Sequence, residues 1–260
     1  MIDFSFPIEE LEYFLLIMTR VTCFISVAPF FGMTNTPNRV KIGLGFFISL
    51  LLYYMTEPHV YPEYETVLGM ASVILKEAAA GLLIGLGANL CSSIVLFAGR
   101  VMDMEMGFAM ANQMDPTTRE QATLTGVYYQ NMVMLLMIIT GMYQYFISAL
   151  AETFILIPVG MVNFNMDSLL SSFVQFMGDY MLIGMRICLP VFCTIMLLNA
   201  VLGILAKVAP QMNMFAVGIQ LKVLTGLAVL FVTVSLLPNV SSLIFTQMKR
   251  MIVSFVEGMM

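Results

Sequence analysis

Few side chains in this sequence are equipped for chemistry, and most of them crowd into one short stretch. Residues 102–117 read MDMEMGFAMANQMDPT: five methionines, three acids and a closing Asp115-Pro116. Met102, Met106, Met110 and Met114 recur every four residues, which stacks them along one face if a helix continues through the segment. Such a stripe has two readings. It can be plain core packing in a chain that holds 26 methionines. It can also be a deformable seal, because methionine has three rotatable bonds and a polarizable sulfur and re-packs around irregular shapes. A pad of such side chains dewets an empty constriction, and it can accommodate the varied side chains of a passing polypeptide. Gly107 loosens the helix, and Asp115-Pro116 ends it because the residue before a proline avoids the helical region.

Other candidates are sparse. Lys76, Glu77, Asp179 and Arg186 interrupt long apolar runs. Charges there are costly in lipid, so they read as buried charges paired between helices, or as the groups an ion-coupled transporter would use. Asp179 and Arg186 are seven residues apart on one helical face, whereas the neighbours Lys76 and Glu77 point to different faces. The single histidine, His59, falls in the acidic loop EPHVYPEYE and reads as an exposed loop residue. Cys23, Cys91, Cys188 and Cys193 all lie in apolar runs at spacings that fit no zinc or redox motif, so they read as small buried hydrophobes. No phosphate-binding loop, glycine-rich nucleotide fingerprint or nucleophile elbow is present. The chain is therefore expected to be neither an enzyme nor a holder of a cofactor or metal. With a net charge of −5 and no basic patch, a nucleic-acid partner is not expected either.

The elements that must position these residues are long and apolar. Of 260 residues, 60% are hydrophobic and only 10% charged, with a mean hydropathy of +0.94. Soluble domains carry about 25% charged residues, so this composition points to a polytopic membrane protein. Apolar runs cover about 11–33, 41–56, 67–98, 124–150, 174–206, 214–237 and 240–257. They predict an all-α, integral-membrane-type fold of five to seven apolar helices in hairpins, within a single domain over 1–260. Several runs are too long or too short for a simple span of about 20 residues. Pro29, Pro158, Pro190 and Pro210 interrupt or flank them, and the carbonyls a proline frees must find protein or water. These helices are thus expected to pack against protein along much of their length. Gly81, Gly85 and Gly87 would let another helix approach closely. The basic hairpin with Arg39 and Lys41 and the region after Arg100 favour the cytoplasmic side, with the acidic N-terminus opposite.

Residues 199–222, NAVLGILAKVAPQMNMFAVGIQLK, resemble the signature of the FliR family of flagellar and type III secretion export-gate proteins. The matching residues are Leu202-Gly203, Lys207, Pro210-Gln211, Asn213, Phe215, Gly218 and Leu221-Lys222. Further elements follow in the family order: TRV at 19–21, APFFG at 28–32, Pro37, VKIGL at 40–44, KEAAAGLLIG at 76–85, AGRVMDMEMG at 98–107, Asp115-Pro116 and IPVG at 157–160. The resemblance covers nearly the whole chain. It implies a non-enzymatic subunit of the export gate in the bacterial inner (plasma) membrane, at the flagellar basal body. It implies helical hairpins wound into a hetero-oligomeric cone with FliP-like and FliQ-like subunits, an FlhB-like subunit docked on it, and unfolded flagellar proteins as cargo. The family's plug loop falls on about 106–118, which nominates Met106, Phe108, Met110 and Met114 for the seal, with Asp115 and Pro116 fixing its exit. Arg39, Lys41, Gly81, Gly85, Lys207, Pro210, Gln211, Asn213, Phe215 and Lys222 are nominated for partner or assembly contacts. Two rival readings stand beside this one: a stand-alone ion-coupled secondary transporter built on the four embedded charges, and a purely structural nucleator of the gate.

Overall fold

A computed structural model describes residues 8–33, 36–56, 58–61, 64, 66–108, 123–211 and 214–260, and of Met214 and Phe215 the backbone alone. The described residues are helical, with no strand among them. In chain order the helices are α1 (Ile8–Val27), α2 (Asn38–Met55), α3 (Val67–Met106), α4 (Leu124–Ile139), α5 (Met142–Leu156), α6 (Met166–Val208), α7 (Met214–Thr233) and α8 (Leu237–Glu257). A 3-10 turn, Val234–Leu236, joins α7 to α8, and the run Ala216–Glu257 counts as one helical stretch of 42 residues. Taken that way, the described residues hold seven helical rods, within the expected range.

Local chemistry explains where these helices begin and end. Glu9 and Glu10 sit in the first turn of α1, where negative charge meets the positive end of the helix dipole. The core-facing positions of α1 are Tyr13, Leu16, Ile17, Arg20, Val21, Phe24 and Ile25, a stripe of three- and four-residue steps. α3 stops at Gly107, whose φ of +86° only a residue without a Cβ adopts cheaply. The apolar run 124–150 is two helices, broken at Gly141 with φ +70°. α6 contains Pro190 in its interior and continues through it.

The chain divides into two compact units. The first comprises Met1–Cys91, Gly141–Phe176 and Thr246–Met260; the second comprises Ser92–Thr140 and Met177–Phe245. In the first, Ile17, Val21, Phe24, Ile84, Phe146, Leu150 and Ile252 form a buried core. Gly81 and Gly85 of α3 face the backbone of α1: a Cβ on Gly81 would overlap the carbonyl oxygen of Arg20, and one on Gly85 would lie 2.9 Å from that of Phe24. The close approach expected of these glycines is therefore made to a helix of the same chain. In the second unit, Ile94, Met102, Met106, Val133, Met137 and Ile195 are buried, and Phe97 packs on the Gly184 face of α6.

Three helical stretches are long and apolar enough to cross a membrane: Val67–Met106, Met166–Val208 and Ala216–Glu257, with a fourth if α4 and α5 form one broken span. Much of the apolar surface of the last two is bare. Leu197, Val201, Ile204 and Val208 on α6, and Leu224, Phe231 and Val232 on α7, are exposed.

Candidate functional site

The segment that follows α3 is the site the sequence nominates. Met110, Met114, Asp115 and Pro116 lie outside the described residues, as does Asn213. What the structure describes is the base of that segment, and it departs from the simple methionine stripe. α3 ends at Met106, and Gly107 follows with φ +86°. Met102 and Met106 do share a face, but both are fully buried. Met106 packs against Gly226 of α7, where a Cβ would collide with its thioether. Met106 is thus held in the core of the second unit. Phe108, half-buried, is the last described residue before the loop.

α3 is tied to the start of α4 by a residue that the sequence reading passed over. Asp103, one turn before the end of α3, is 2% exposed. Its two carboxylate oxygens lie 3.3 and 3.2 Å from the backbone nitrogen of Thr125 in the first turn of α4, and one of them also accepts the Thr125 hydroxyl. Beside this contact the backbones of α3 and α4 close on each other through Gly99 and Gly126. α4 is tied in turn to α7 by the Tyr129 and Thr233 hydroxyls, 3.3 Å apart. The sequence signal for Asp103 was available: an acid one position from the stripe, in the element AGRVMDMEMG.

In the first unit, a second polar centre lies deep in the fold. The Arg20 guanidinium grips the Glu77 carboxylate with Nε at 2.5 Å from Oε2 and Nη2 at 3.0 Å from Oε1. Its Nη1 donates to the carbonyls of Thr153 (3.3 Å) and Ile157 (3.1 Å) at the end of α5. The ring of Phe154 lies 4.3 Å from the guanidinium carbon. Glu77 Oε1 also accepts the N–H of Gly160 at 2.8 Å. Both side chains are essentially inaccessible. A buried ion pair keeps its place only when further hydrogen bonds satisfy both partners, and here they do. The elements TRV, KEAAAGLLIG and IPVG meet at this one point.

Of the four charges read as buried, the chain itself encloses only Glu77. Lys76 and Arg186 are exposed and Asp179 is half-buried. Lys76 follows from geometry, since its neighbour Glu77 turns inward and successive helical residues point about 100° apart. The partner of Glu77, Arg20, went unnoticed although it is the one charge within the apolar stripe of α1. Lys41, half-buried, donates to the Gly32 carbonyl at 3.0 Å, so it braces the APFFG turn within the chain. Arg39, Lys207, Pro210 and Gln211 are exposed, and Lys222 is half-buried. His59 lies in the loop expected but is half-buried rather than exposed, its ring tilted against those of Tyr13 and Tyr53 with centroids 4.7 and 4.4 Å away. Cys91 and Cys188 are buried, but Cys193 is exposed. Among the described residues, no three His, Cys, Asp or Glu side chains gather closely enough to hold a metal ion.

The profile of the bacterial export proteins, family 1, matches residues 11–248. The chain belongs to the bacterial export proteins, family 1. Among relatives, it is 29% identical over 251 residues to the flagellar biosynthetic protein FliR of Bacillus subtilis (strain 168), covering 94% of this chain and 96% of that one. It is 26% identical over 254 residues to the FliR of Aquifex aeolicus (strain VF5), covering 96% of each. To that of Pectobacterium carotovorum subsp. carotovorum it is 27% identical over 230 residues, covering 88% of this chain and 86% of the relative. The family match spans the Arg20–Glu77 pair, the loop base and the 199–222 signature alike.

Proposed function

We propose that this chain is a subunit of the flagellar type III protein export gate, helping to form and seal the conduit for unfolded export substrates. The observation that carries the reading is the family match along 11–248, joined by relatives that are flagellar biosynthetic proteins over almost their full length. The gate would stand in the bacterial inner membrane at the flagellar basal body, with FliP-like, FliQ-like and FlhB-like subunits as neighbours. The bare apolar faces of α6 and α7 support this, since so much exposed greasy surface calls for lipid or sibling subunits. In the cone expected of such a complex, 1–260 acts as one export-gate domain. The loop at 106–118 closes the axis, with Met106 as its anchor and Phe108, Met110 and Met114 as the seal. Exposed Arg39, Lys207, Pro210 and Gln211 remain available for partner contact.

The transporter reading is weaker. It needs embedded ionisable groups free to bind an ion, yet Glu77 is already saturated by Arg20 and Gly160, and Lys76 and Arg186 are exposed. Purification in mild detergent separates the two: a gate subunit emerges in a large hetero-complex, a transporter as a monomer or small homo-oligomer. Deleting residues 106–118 then separates a seal from a nucleator. A seal predicts an assembled but leaky complex; closed, regulated export in that variant would leave only the nucleating role.

A further inference from the structure

Within the first unit, α5 and the last turns of α8 leave a groove between them, with a cavity of about 230 Å³. On α5 its residues recur at three- and four-residue steps, as Tyr145, Ala149, Glu152 and Leu156, so one face of that helix lines it. Ala149, Ile252 and Val256 are buried and make an apolar floor, while Leu156 and Val253 are exposed at its edge. Thr153 offers this floor no free donor, because its hydroxyl donates back to the Leu150 carbonyl at 2.6 Å. Both walls are held in place. The Arg20 guanidinium donates to the carbonyls of Thr153 and Ile157. Past the end of α8, the carbonyls of Gly258 and Met259 accept the N–H groups of Asn165 and Asn163. The groove is thus preformed, and an occupant spends little in ordering it.

Two carboxylates, Glu152 and Glu257, stand exposed on the rim, and neither pairs with a cation among the described residues. Lys249 is engaged elsewhere: its ammonium lies 4.6 Å from the centroid of the Tyr145 ring. Tyr145 and Lys249 each stand about two turns before the acid on their own helix. An apolar trough with an acidic edge matches a side chain that has an apolar stem and a cationic head, as lysine and arginine do. The cavity is smaller than the roughly 300–1,000 Å³ of small-molecule sites, which suits an anchoring side chain better than a free metabolite. A phospholipid fits worse, since carboxylates repel the phosphate its headgroup carries. A groove between two helices is also a common seat for an amphipathic helix. We propose that the α5–α8 groove is a docking site for an amphipathic helix of another protein chain. That helix sets a lysine or arginine against Glu152 and Glu257 and lays its neighbouring apolar residues on Ala149, Ile252 and Val256. The apolar floor supplies the grip, and the acids select the partner by charge. The site needs no seal and stands apart from the export-gate reading.

The test has two arms, both on the full chain. In the first, the chain held in amphipol meets a labelled leucine–alanine helical peptide with arginine at the edge of its apolar face, or the same peptide with glutamate there, and binding is read by fluorescence anisotropy. The arginine peptide should bind about tenfold tighter than the glutamate one. Glu152→Gln with Glu257→Gln should weaken the arginine peptide about fivefold or more, and Val253→Gln, at an exposed position, should weaken it too. Equal binding of the two peptides, or no loss in the double variant, overturns the proposal. Should the double variant not fold, a salt titration of the wild type decides: arginine-peptide binding that weakens with salt supports the site, and binding indifferent to salt overturns it. In the second arm, a photoreactive residue in place of Val253 is crosslinked in the complex purified from cells, and the attached group is identified by mass spectrometry. A peptide with lysine or arginine beside its apolar face supports the site. Acyl chains alone, an acidic segment or no crosslink overturns it. Should that basic peptide come from a protein outside any export complex, the site stands and the export-gate reading fails.

Discussion

Replacing Arg20 by methionine keeps the unbranched apolar stem and deletes four hydrogen bonds at once, two to Glu77 and one each to the carbonyls of Thr153 and Ile157. Glu77 remains at 0% exposure, with the Gly160 N–H as its remaining contact in this network. Were this pair on the surface, its loss would cost about 0–1 kcal/mol. Stranding one partner of a buried pair costs about 3–5 kcal/mol. Typical domains hold only about 5–15 kcal/mol in total, so the loss is a large share, and on the scale of a chain this size it corresponds to roughly 10 °C in melting temperature. Removing both charges together, as Arg20→Met with Glu77→Leu, abolishes the desolvation cost along with the attraction and should recover most of that loss. The assay is thermal unfolding of detergent-purified wild type, both single variants and the double, arranged as a double-mutant cycle. A coupling of about 2 kcal/mol or more is expected. A melting temperature for Arg20→Met within about 2 °C of wild type, or single effects that simply add, would refute the idea that this pair clasps α1, α3 and the end of α5.

Gly81→Val should destabilise by about 1–3 kcal/mol, because its branches run into the α1 backbone; Gly178→Ala, where nothing lies within 4 Å, should be neutral or gain up to about 1 kcal/mol, both read by the same unfolding assay. Replacing Met110 and Met114 together by Gly should leave assembly intact and let small ions through the resting gate; unchanged tightness would count against these two side chains as the seal. The Tyr64 hydroxyl donates to the Glu12 carboxylate, which raises its pKa above the ordinary 10.0. A group raised on folding holds its contribution below the unfolded value and loses it as pH climbs through the folded one, so the Tyr64–Glu12 contact should persist through neutral pH and be lost in strong alkali. Tyrosine-labelled NMR of wild type against Glu12→Gln checks this: the variant should titrate at lower pH.

Helix existence was legible because the apolar runs are long and their breakers explicit. α1 and α2 fall where composition puts them and Gly107 marks a real end, whereas the break at Gly141 lies inside the run read as a single stretch, 124–150. What stayed hidden is pairing across sequence distance. Arg20 and Glu77 are 57 residues apart, and nothing along a single chain says which buried charge meets which. A lone charge inside the i, i+3, i+4, i+7 stripe of α1 was nonetheless a readable warning that a partner had to exist. Asp103 escaped for a related reason, since the spacing of its methionine neighbours drew the reading toward an uninterrupted helix. The half-burial of His59 was missed because loop composition does not reveal that Tyr13 and Tyr53, from two different helices, lie against its ring.

The 43 residues of α6 trace about 65 Å of helix at 1.5 Å per residue, roughly twice the depth of a bilayer's oil layer. A copy made without companions would have to leave a greasy half-rod standing in water or headgroups. Cellular quality control recognises such orphans, so the amount of this chain in a cell should track the supply of its companions rather than its own rate of synthesis.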